Sequence, residues 1–136
     1  MDERNLVSLL HLIEHGFNGD RLDQLDQVLA LDLVSHAPVP IEDGREGLKA
    51  ALRSIREAFP DSHVAIDDLA FGGETIYRRW TITGTHTGAF QGLPPTGRPI
   101  LMSGVDVDRF EGGMVVEHWS FWDLSELLRQ LGAGGP

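Results

Sequence analysis

Apolar residues at helical spacing dominate the first thirty positions of the chain. From Leu6 to Phe17 they recur every three or four residues, which predicts a helix with one buried face. The sequence Asn18-Gly19-Asp20 then interrupts the pattern. A second, shorter helix is predicted from the apolar residues Leu22, Leu25, Val28 and Leu29.

A short strand and a third helix are predicted next. Leu33 to Ala37 has the pattern of a strand and is followed by two nearby prolines. An amphipathic pattern from Leu48 to Phe59 predicts the third helix. Because Pro60 disfavours a helical conformation in the preceding residue, we expect this helix to end near Ala58.

After Pro60 the pattern changes to β-type runs. Gly72-Gly73 and Gly112-Gly113 separate neighbouring runs and favour tight turns between antiparallel strands. Asp123 is placed to cap a final helix that contains Leu127, Leu128 and Leu131. The four strands predicted after Pro60 are His63 to Phe71, Thr75 to His86, Ile100 to Phe110, and Met114 to Trp122.

This order of elements is typical of an α+β domain. Three N-terminal helices would pack on one face of a curved antiparallel sheet, and the curvature would leave a cone-shaped hollow. Ligands in such folds bind at the mouth of the hollow, against inward-facing strand residues. With 136 residues, the chain is predicted to form a single domain spanning residues 1–136.

Composition narrows the possible partners and location. The chain has no cysteine, which excludes disulfides and thiolate chemistry and favours a cytoplasmic protein. No apolar run is long enough to span a bilayer, so we expect no membrane partner. Acidic residues outnumber basic ones by 21 to 11, and the net charge of −10 disfavours nucleic acid as a partner.

The last two predicted strands carry the strongest candidates for acid–base chemistry. Asp106 is a carboxylate in the middle of a strand among apolar neighbours, so it is either solvent-facing or a tuned acid or base. A tight turn at Gly112-Gly113 would bring Asp106 and Asp108 level with His118 and Ser120. Asp106 and His118 are therefore the predicted catalytic pair, with a structural role for His118 as the alternative.

The segment from Gly84 to Arg98 is rich in glycine and proline and resembles the rim of a pocket. His86 at its start either binds substrate or pins the loop through local hydrogen bonds. His36 has the same two interpretations, as a pocket wall or a hydrogen-bonding group at the end of a strand.

The sequence His11-Leu12-Ile13-Glu14-His15 matches the H-x-x-E-H pattern of a class of zinc peptidases. Both histidines are predicted to point away from the apolar face of their helix, and the sequence offers no evident third ligand. We therefore predict no metal site.

Several separated motifs together resemble the SnoaL-like polyketide cyclase family of the NTF2-like superfamily. They are Thr83 to Arg98, Ala58-Phe59-Pro60-Asp61, and Val116-Glu117-His118-Trp119 followed by Asp123. The resemblance covers nearly the whole chain and agrees with the predicted order of helices and strands.

The resemblance implies a cone-shaped α+β barrel that forms a homodimer or higher homo-oligomer through the outer sheet face and uses no metal or organic cofactor. It implies a hydrophobic small-molecule substrate, closed into a ring by intramolecular aldol condensation with an aspartate as acid and base. Related branches isomerise steroids or open epoxides. The predicted substrate-binding residues are His36, Trp80, His86, Trp119, Ser120 and Trp122.

This chain departs from the family at one position. The acid–base aspartate of the cyclases aligns just after His118-Trp119, where this sequence has Ser120. Asp106 on the adjacent strand is the predicted replacement, and Asp123 is a second candidate. Three hypotheses follow: a cyclase or isomerase, a non-catalytic binding or dimerisation domain, and an epoxide hydrolase, which would need an arginine and a second carboxylate at the site.

Overall fold

The chain folds as a helical layer packed on one face of a five-stranded sheet. The computed structural model describes residues 3–132, without the side chains of residues 3, 6, 11, 12, 14 and 15. The helical segments are α1 (Glu3–Leu12), which continues as a π-helical turn (Ile13–Phe17), a 3-10 helix (Leu22–Gln27), α2 (Arg45–Ala58) and α3 (Leu124–Gln130). In the described range, no helix is both long and apolar enough to cross a membrane.

The sheet is curved and does not close into a barrel. Its strands are β1 (Leu29–His36), β2 (His63–Gly72), β3 (Thr75–Thr85), β4 (Pro99–Glu111) and β5 (Met114–Phe121). Their spatial order is β1-β5-β4-β3-β2, so the strands from β2 to β5 form an antiparallel meander. This arrangement confirms the predicted α+β class and the helical layer on a curved sheet.

Strand β1 differs most from the sequence prediction. It begins at Leu29 rather than Leu33, and it pairs with β5 in parallel, so the sheet is not wholly antiparallel. The sequence predicts Leu29 in the second helix because this residue continues the helical spacing of Leu22 and Leu25. The second helix ends at Gln27 instead, since the next residues pair with β5 and bury Val28 and Leu29.

The turns and helix ends follow the local sequence closely. Gly112 and Gly113 both have positive φ angles, 58° and 81°, and link β4 to β5 as predicted. The other turn is shifted by one residue, because Gly72 pairs with Thr75 and the turn is made by Gly73 and Glu74. Helix α2 ends at Ala58, and Asp123 caps α3 by accepting a hydrogen bond from the backbone N–H of Glu126 at 3.2 Å.

Gly104 in β4 allows a tryptophan of the neighbouring strand to lie across the sheet. Trp80 pairs with Gly104 in the β3–β4 register. A Cβ atom at position 104 would overlap the Trp80 ring and lie 2.7 Å from the carbonyl oxygen of Phe121. The missing side chain therefore determines where the indole of Trp80 can lie.

Gly104→Ala is expected to destabilise the protein by about 1–3 kcal/mol, because the added methyl group forces the Trp80 ring or β5 to move. The matched control is Gly72→Ala, whose new Cβ would make only an ordinary contact of 3.4 Å with the Tyr77 ring. Urea unfolding monitored by circular dichroism measures both changes. Equal stability of the two variants would contradict the proposed role of Gly104.

Candidate active site

Polar side chains from three adjacent strands meet on the inner face of the sheet. On β4, Asp106 and Asp108 both point inward because alternate residues of a strand share a face. Asp106 pairs with Ser120 of β5 and Arg78 of β3, and Asp108 pairs with His118 of β5. The two neighbouring strands therefore bring the other polar groups level with the two carboxylates.

These groups form the polar floor of a cavity of about 390 Å³ between the helices and the sheet. The rest of the lining is predominantly apolar and comes from the helical layer, the inner strand faces and two loops. Among the aromatic residues that line the cavity, Trp80 and Trp122 are the nearest in sequence to the polar floor groups. The main apolar lining residues are Leu9, Phe17, Leu25, Leu48, Leu52, Ile55, Phe59, Ile82, Phe90 and Met102.

Asp106 is held by three hydrogen-bond donors. Its Oδ1 accepts from Trp80 Nε1 at 2.9 Å and from Ser120 Oγ at 2.7 Å. Its Oδ2 accepts from Arg78 Nη2 at 2.7 Å. A carboxylate oxygen has two lone pairs, so Oδ1 is fully used and Oδ2 retains one free acceptor position.

Asp108 is the most deeply buried of the floor groups, at 2% exposed. Its Oδ1 is 2.7 Å from Nδ1 of His118, and its Oδ2 accepts from Nη1 of Arg78. Burial alone would raise the pKa of Asp108, but the positive charges of Arg78 and His118 and their hydrogen bonds hold it below its usual value. Asp108 is therefore an anion at neutral pH.

His118 is the only imidazole among the described residues that line the cavity. Burial alone would lower its pKa, and Arg78 acts in the same direction. The charge and hydrogen bond of Asp108, together with the charge of Asp106, outweigh both effects and raise the pKa of His118 above its ordinary value. Its Nε2 lies 3.9 Å from Oδ2 of Asp106, so a proton donor and a carboxylate face each other at the floor.

Three of the predicted substrate-binding residues lie in the cavity wall together with the predicted catalytic pair. They are Trp80, Ser120 and Trp122. Ser120, at the position that aligns with the family's aspartate, donates its hydroxyl proton to Asp106. Asp123 is used differently, as the N-cap of α3.

Two predicted pocket residues lie on the opposite face of the sheet. Trp119 alternates with His118 and Ser120 and lines a shallow depression on the outer face. His36 stacks on Trp119, with ring centroids 5.3 Å apart, and its Nε2 is 2.8 Å from Glu117 Oε2. These contacts correct the expectation that His36 and Trp119 form pocket walls and support the strand-end interpretation of His36.

His86 is fully buried and is not among the described residues that line the cavity. Its Nδ1 accepts from the backbone N–H of Thr96 at 3.2 Å and lies 2.9 Å from the Thr96 hydroxyl. The ring thus joins the two ends of the glycine- and proline-rich loop, as the loop-pinning alternative requires. Phe90 and Gln91 of that loop line the cavity, which agrees with the predicted pocket rim.

Sequence reasoning did not assign Arg78 to the site. It is the arginine of this floor, since the neighbouring Arg79 is exposed and Arg109 pairs with Glu111 and Glu117. Strand alternation predicts this position of Arg78, because it is two residues from Trp80 and therefore lies on the same face of the sheet. Asp108 was placed level with His118 but was not assigned a role.

The side chains of His11, Glu14 and His15 lie outside those that the structure describes, so the prediction for the H-x-x-E-H sequence is untested. Within the described part of the chain, no group of three or more His, Cys, Asp or Glu side chains is arranged to hold a metal ion.

Comparisons with known proteins agree with this architecture. The family profile described as SnoaL-like polyketide cyclase matches residues 8–131. The chain belongs to this family. It is 26% identical over 127 residues to the nogalonic acid methyl ester cyclase of Streptomyces nogalater, covering 89% of this chain and 92% of that protein.

Two further relatives match over nearly their whole length. The aklanonic acid methyl ester cyclase DnrD of Streptomyces peucetius is 22% identical over 134 residues, covering 96% of this chain and 92% of that protein. The solved structure of TsrD from Streptomyces laurentii is 30% identical, covers 98% of both chains and superposes with a TM-score of 0.86. This SnoaL-like protein therefore shares both sequence and fold with the family.

The buried ion cluster predicts a dependence of stability on pH. The folded-state pKa of His118 is raised above 6.5, so its stabilising contribution is fully present below about pH 6.5 and is lost as the pH rises through the folded value. The melting temperature of His118→Gln should therefore lie further below that of the wild type at pH 6 than at pH 9. His63→Gln, which changes an exposed histidine of β2, is the control. A constant difference between His118→Gln and the wild type across this range would contradict the prediction.

Proposed function

We propose that this protein is a polyketide cyclase that closes a ring by intramolecular aldol condensation, with Asp106 as the general base and His118 as the proton donor. One observation carries the proposal: a carboxylate and an imidazole face each other at 3.9 Å on the floor of an apolar cavity. This pair could also catalyse a simple proton shift, as in a related isomerase.

The spacing of the pair suits an aldol reaction. Oδ2 of Asp106, with its free acceptor position, would remove a proton from a carbon next to a carbonyl group. The resulting enolate carbon attacks a second carbonyl carbon, whose oxygen becomes negatively charged. Because that oxygen lies only two bonds from the attacking carbon in the product, a base and an acid on adjacent strands can reach both atoms.

His118 is suited to donate the second proton. Its pKa is raised above the ordinary histidine value, which favours the protonated ring, so Nε2–H can transfer a proton to the forming alkoxide. The apolar walls exclude water, which strengthens this electrostatic interaction and favours a flat hydrophobic substrate against Trp80 and Trp122.

The curated relatives support the same chemistry, since both are methyl ester cyclases matched over 92% of their length. A purely ligand-binding role is the alternative for a cavity of this fold. The cavity is not filled by the protein's own side chains, and Asp106 lies on its floor rather than in solvent. Both observations favour catalysis over that alternative.

An epoxide hydrolase is a second candidate, and it is favoured by Arg78. This guanidinium bridges Asp106 and Asp108, so an arginine and two carboxylates do converge at one site. The free acceptor position of Asp106 could then activate a water molecule instead of a carbon acid.

Asp106→Asn is expected to reduce cyclisation by about 100-fold or more, because an amide cannot accept the proton in the first step. The assay follows ring closure of aklanonic acid methyl ester and nogalonic acid methyl ester by liquid chromatography and mass spectrometry, with small epoxides tested in parallel. Asp67→Asn, which changes an exposed carboxylate on β2, is the matched control.

Retention of wild-type cyclisation by Asp106→Asn would refute the assignment of the base. Turnover of epoxides alone, with ¹⁸O from labelled water in the diol, would favour the second candidate. Binding of the esters without turnover of any substrate would favour the ligand-binding alternative.

We also propose that the protein forms a homodimer through the outer face of the sheet. This face exposes large apolar side chains that a monomer would leave in water. They are Tyr77 of β3, Leu101 and Val105 of β4, and Phe121 of β5, which are 42%, 62%, 38% and 57% exposed. Val105 and Phe121 are direct partners in the β4–β5 register.

Tyr77→Asp combined with Phe121→Asp should convert the dimer into a monomer, because two charges would be desolvated at the interface. Light scattering coupled to gel filtration measures the mass. Val7→Asp, a comparable change at an exposed residue of α1, is the control and should remain dimeric. A monomeric wild type would refute the proposal.

A further inference from the structure

Asp108 is the most deeply buried member of the ion cluster, and a cation engages each of its oxygens. It is 2% exposed, and its two oxygens face two different cations. Oδ2 accepts from Arg78, and Oδ1 is 2.7 Å from His118 Nδ1. These contacts and this burial point to a contribution that acts through those two side chains.

Through Arg78, Asp108 is connected to the proposed base. The guanidinium presents two parallel donor nitrogens, and their spacing is fixed by its planar geometry. With Nη1 held by Asp108, Nη2 lies 2.7 Å from Oδ2 of Asp106. The position of Oδ2, and hence of its free acceptor site, depends on where Asp108 anchors the arginine.

Through His118, Asp108 is connected to the proposed acid. A carboxylate can only accept a hydrogen bond, so the ring nitrogen facing it must carry a proton. Nδ1 is therefore the protonated nitrogen in every charge state in which Asp108 is ionised. The ring is consequently turned so that Nε2 is the nitrogen available to the cavity and to Asp106, at 3.9 Å.

We propose that Asp108 is a positioning residue that orients both members of the acid–base pair, by anchoring Arg78 against Asp106 and by turning Nε2 of His118 into the cavity. The proposal rests on the proposed function, because it assigns Asp108 a role in the reaction of Asp106 and His118. One buried carboxylate thus links two catalytic groups on adjacent strands.

The role needs a carboxylate and not merely a polar group of the same shape. An asparagine has one oxygen and one NH₂ group, so it can accept from only one of the two cations and must direct a donor at the other. It would also leave Arg78 and protonated His118 with Asp106 as the one anion of the cluster. The charged groups described around His118 are Arg78, Asp106 and Asp108, so losing Asp108 removes half of the negative charge.

The first test is the protonation state of His118, measured by long-range ¹H–¹⁵N correlation spectra across a pH titration. His118→Gln identifies the signals of this ring among the six histidines. In the wild type we expect Nδ1 to keep its proton after Nε2 loses one at high pH. In Asp108→Asn the titration midpoint of His118 should fall from above the ordinary histidine value to below it. Burial lowers the pKa of the ring, and without Asp108 less negative charge opposes that effect. Asp67→Asn should leave the midpoint unchanged.

The second test is kinetic and uses any ester that the wild type cyclises. Asp108→Asn should lower kcat by about 100-fold, with a much smaller change in KM, because binding contacts remain while proton transfer is impaired. The loss of kcat at high pH, which reports deprotonation of the acid, should also move to lower pH. A merely structural role would lower the amount of folded enzyme without moving this limb of the profile.

A wild-type ring with its neutral-state proton on Nε2, or an Asp108→Asn midpoint equal to that of the wild type, would overturn the inference. Should Asp108→Asn not fold, the wild-type tautomer still decides, since it requires no variant at position 108. Absence of turnover in the wild type would instead count against the proposed function, and the spectra would still report on the geometry.

Discussion

The buried guanidinium of Arg78 is the constraint on which the cavity floor depends. It lies between two carboxylates on the next strand, and neither the arginine nor Asp108 has appreciable contact with solvent. Removing charges from water is costly, and the cost is recovered only where the ions pair closely and are fully hydrogen-bonded. Arg78, Asp106, Asp108 and protonated His118 pair closely and balance in charge, since they form two cations and two anions.

Strand register brings these four groups together. The β3–β4 and β4–β5 pairings set Arg78 opposite Asp106 and Asp108 opposite His118, and alternation turns them all to the concave face. A shift of one residue in either pairing would expose buried ions and bury outer-face side chains. The tight Gly112-Gly113 turn and the room that Gly104 leaves for Trp80 are therefore parts of the site as much as of the fold.

Much of this arrangement follows from local sequence. The α+β class, the end of α2 before Pro60, the cap at Asp123 and the level of His118 beside Asp108 are all set by residues close in the chain. The parallel pairing of β1 could not be predicted in this way, because it depends on contacts between residues more than 80 positions apart. Alternation along the strands would have placed Trp119 outside and Arg78 inside. Trp119 was nevertheless predicted as a pocket wall because it is aromatic, and no role was predicted for Arg78.

The loop pinned by His86 contributes one part of the cavity wall, and it is distinct in sequence from the strands that form the polar floor. Its ends are joined by the His86–Thr96 hydrogen bonds. The backbone N–H groups of Thr87 and Gly88 anchor its first end to α2 by donating to the carbonyl of Ala58. Between those anchors, Phe90 and Gln91 reach the cavity, whereas the polar floor is built entirely from β3, β4 and β5. The hydrogen bonds of the ion cluster are made among side chains of β3, β4 and β5, so the loop that helps to select the ligand and the groups that move protons are held by separate sets of contacts.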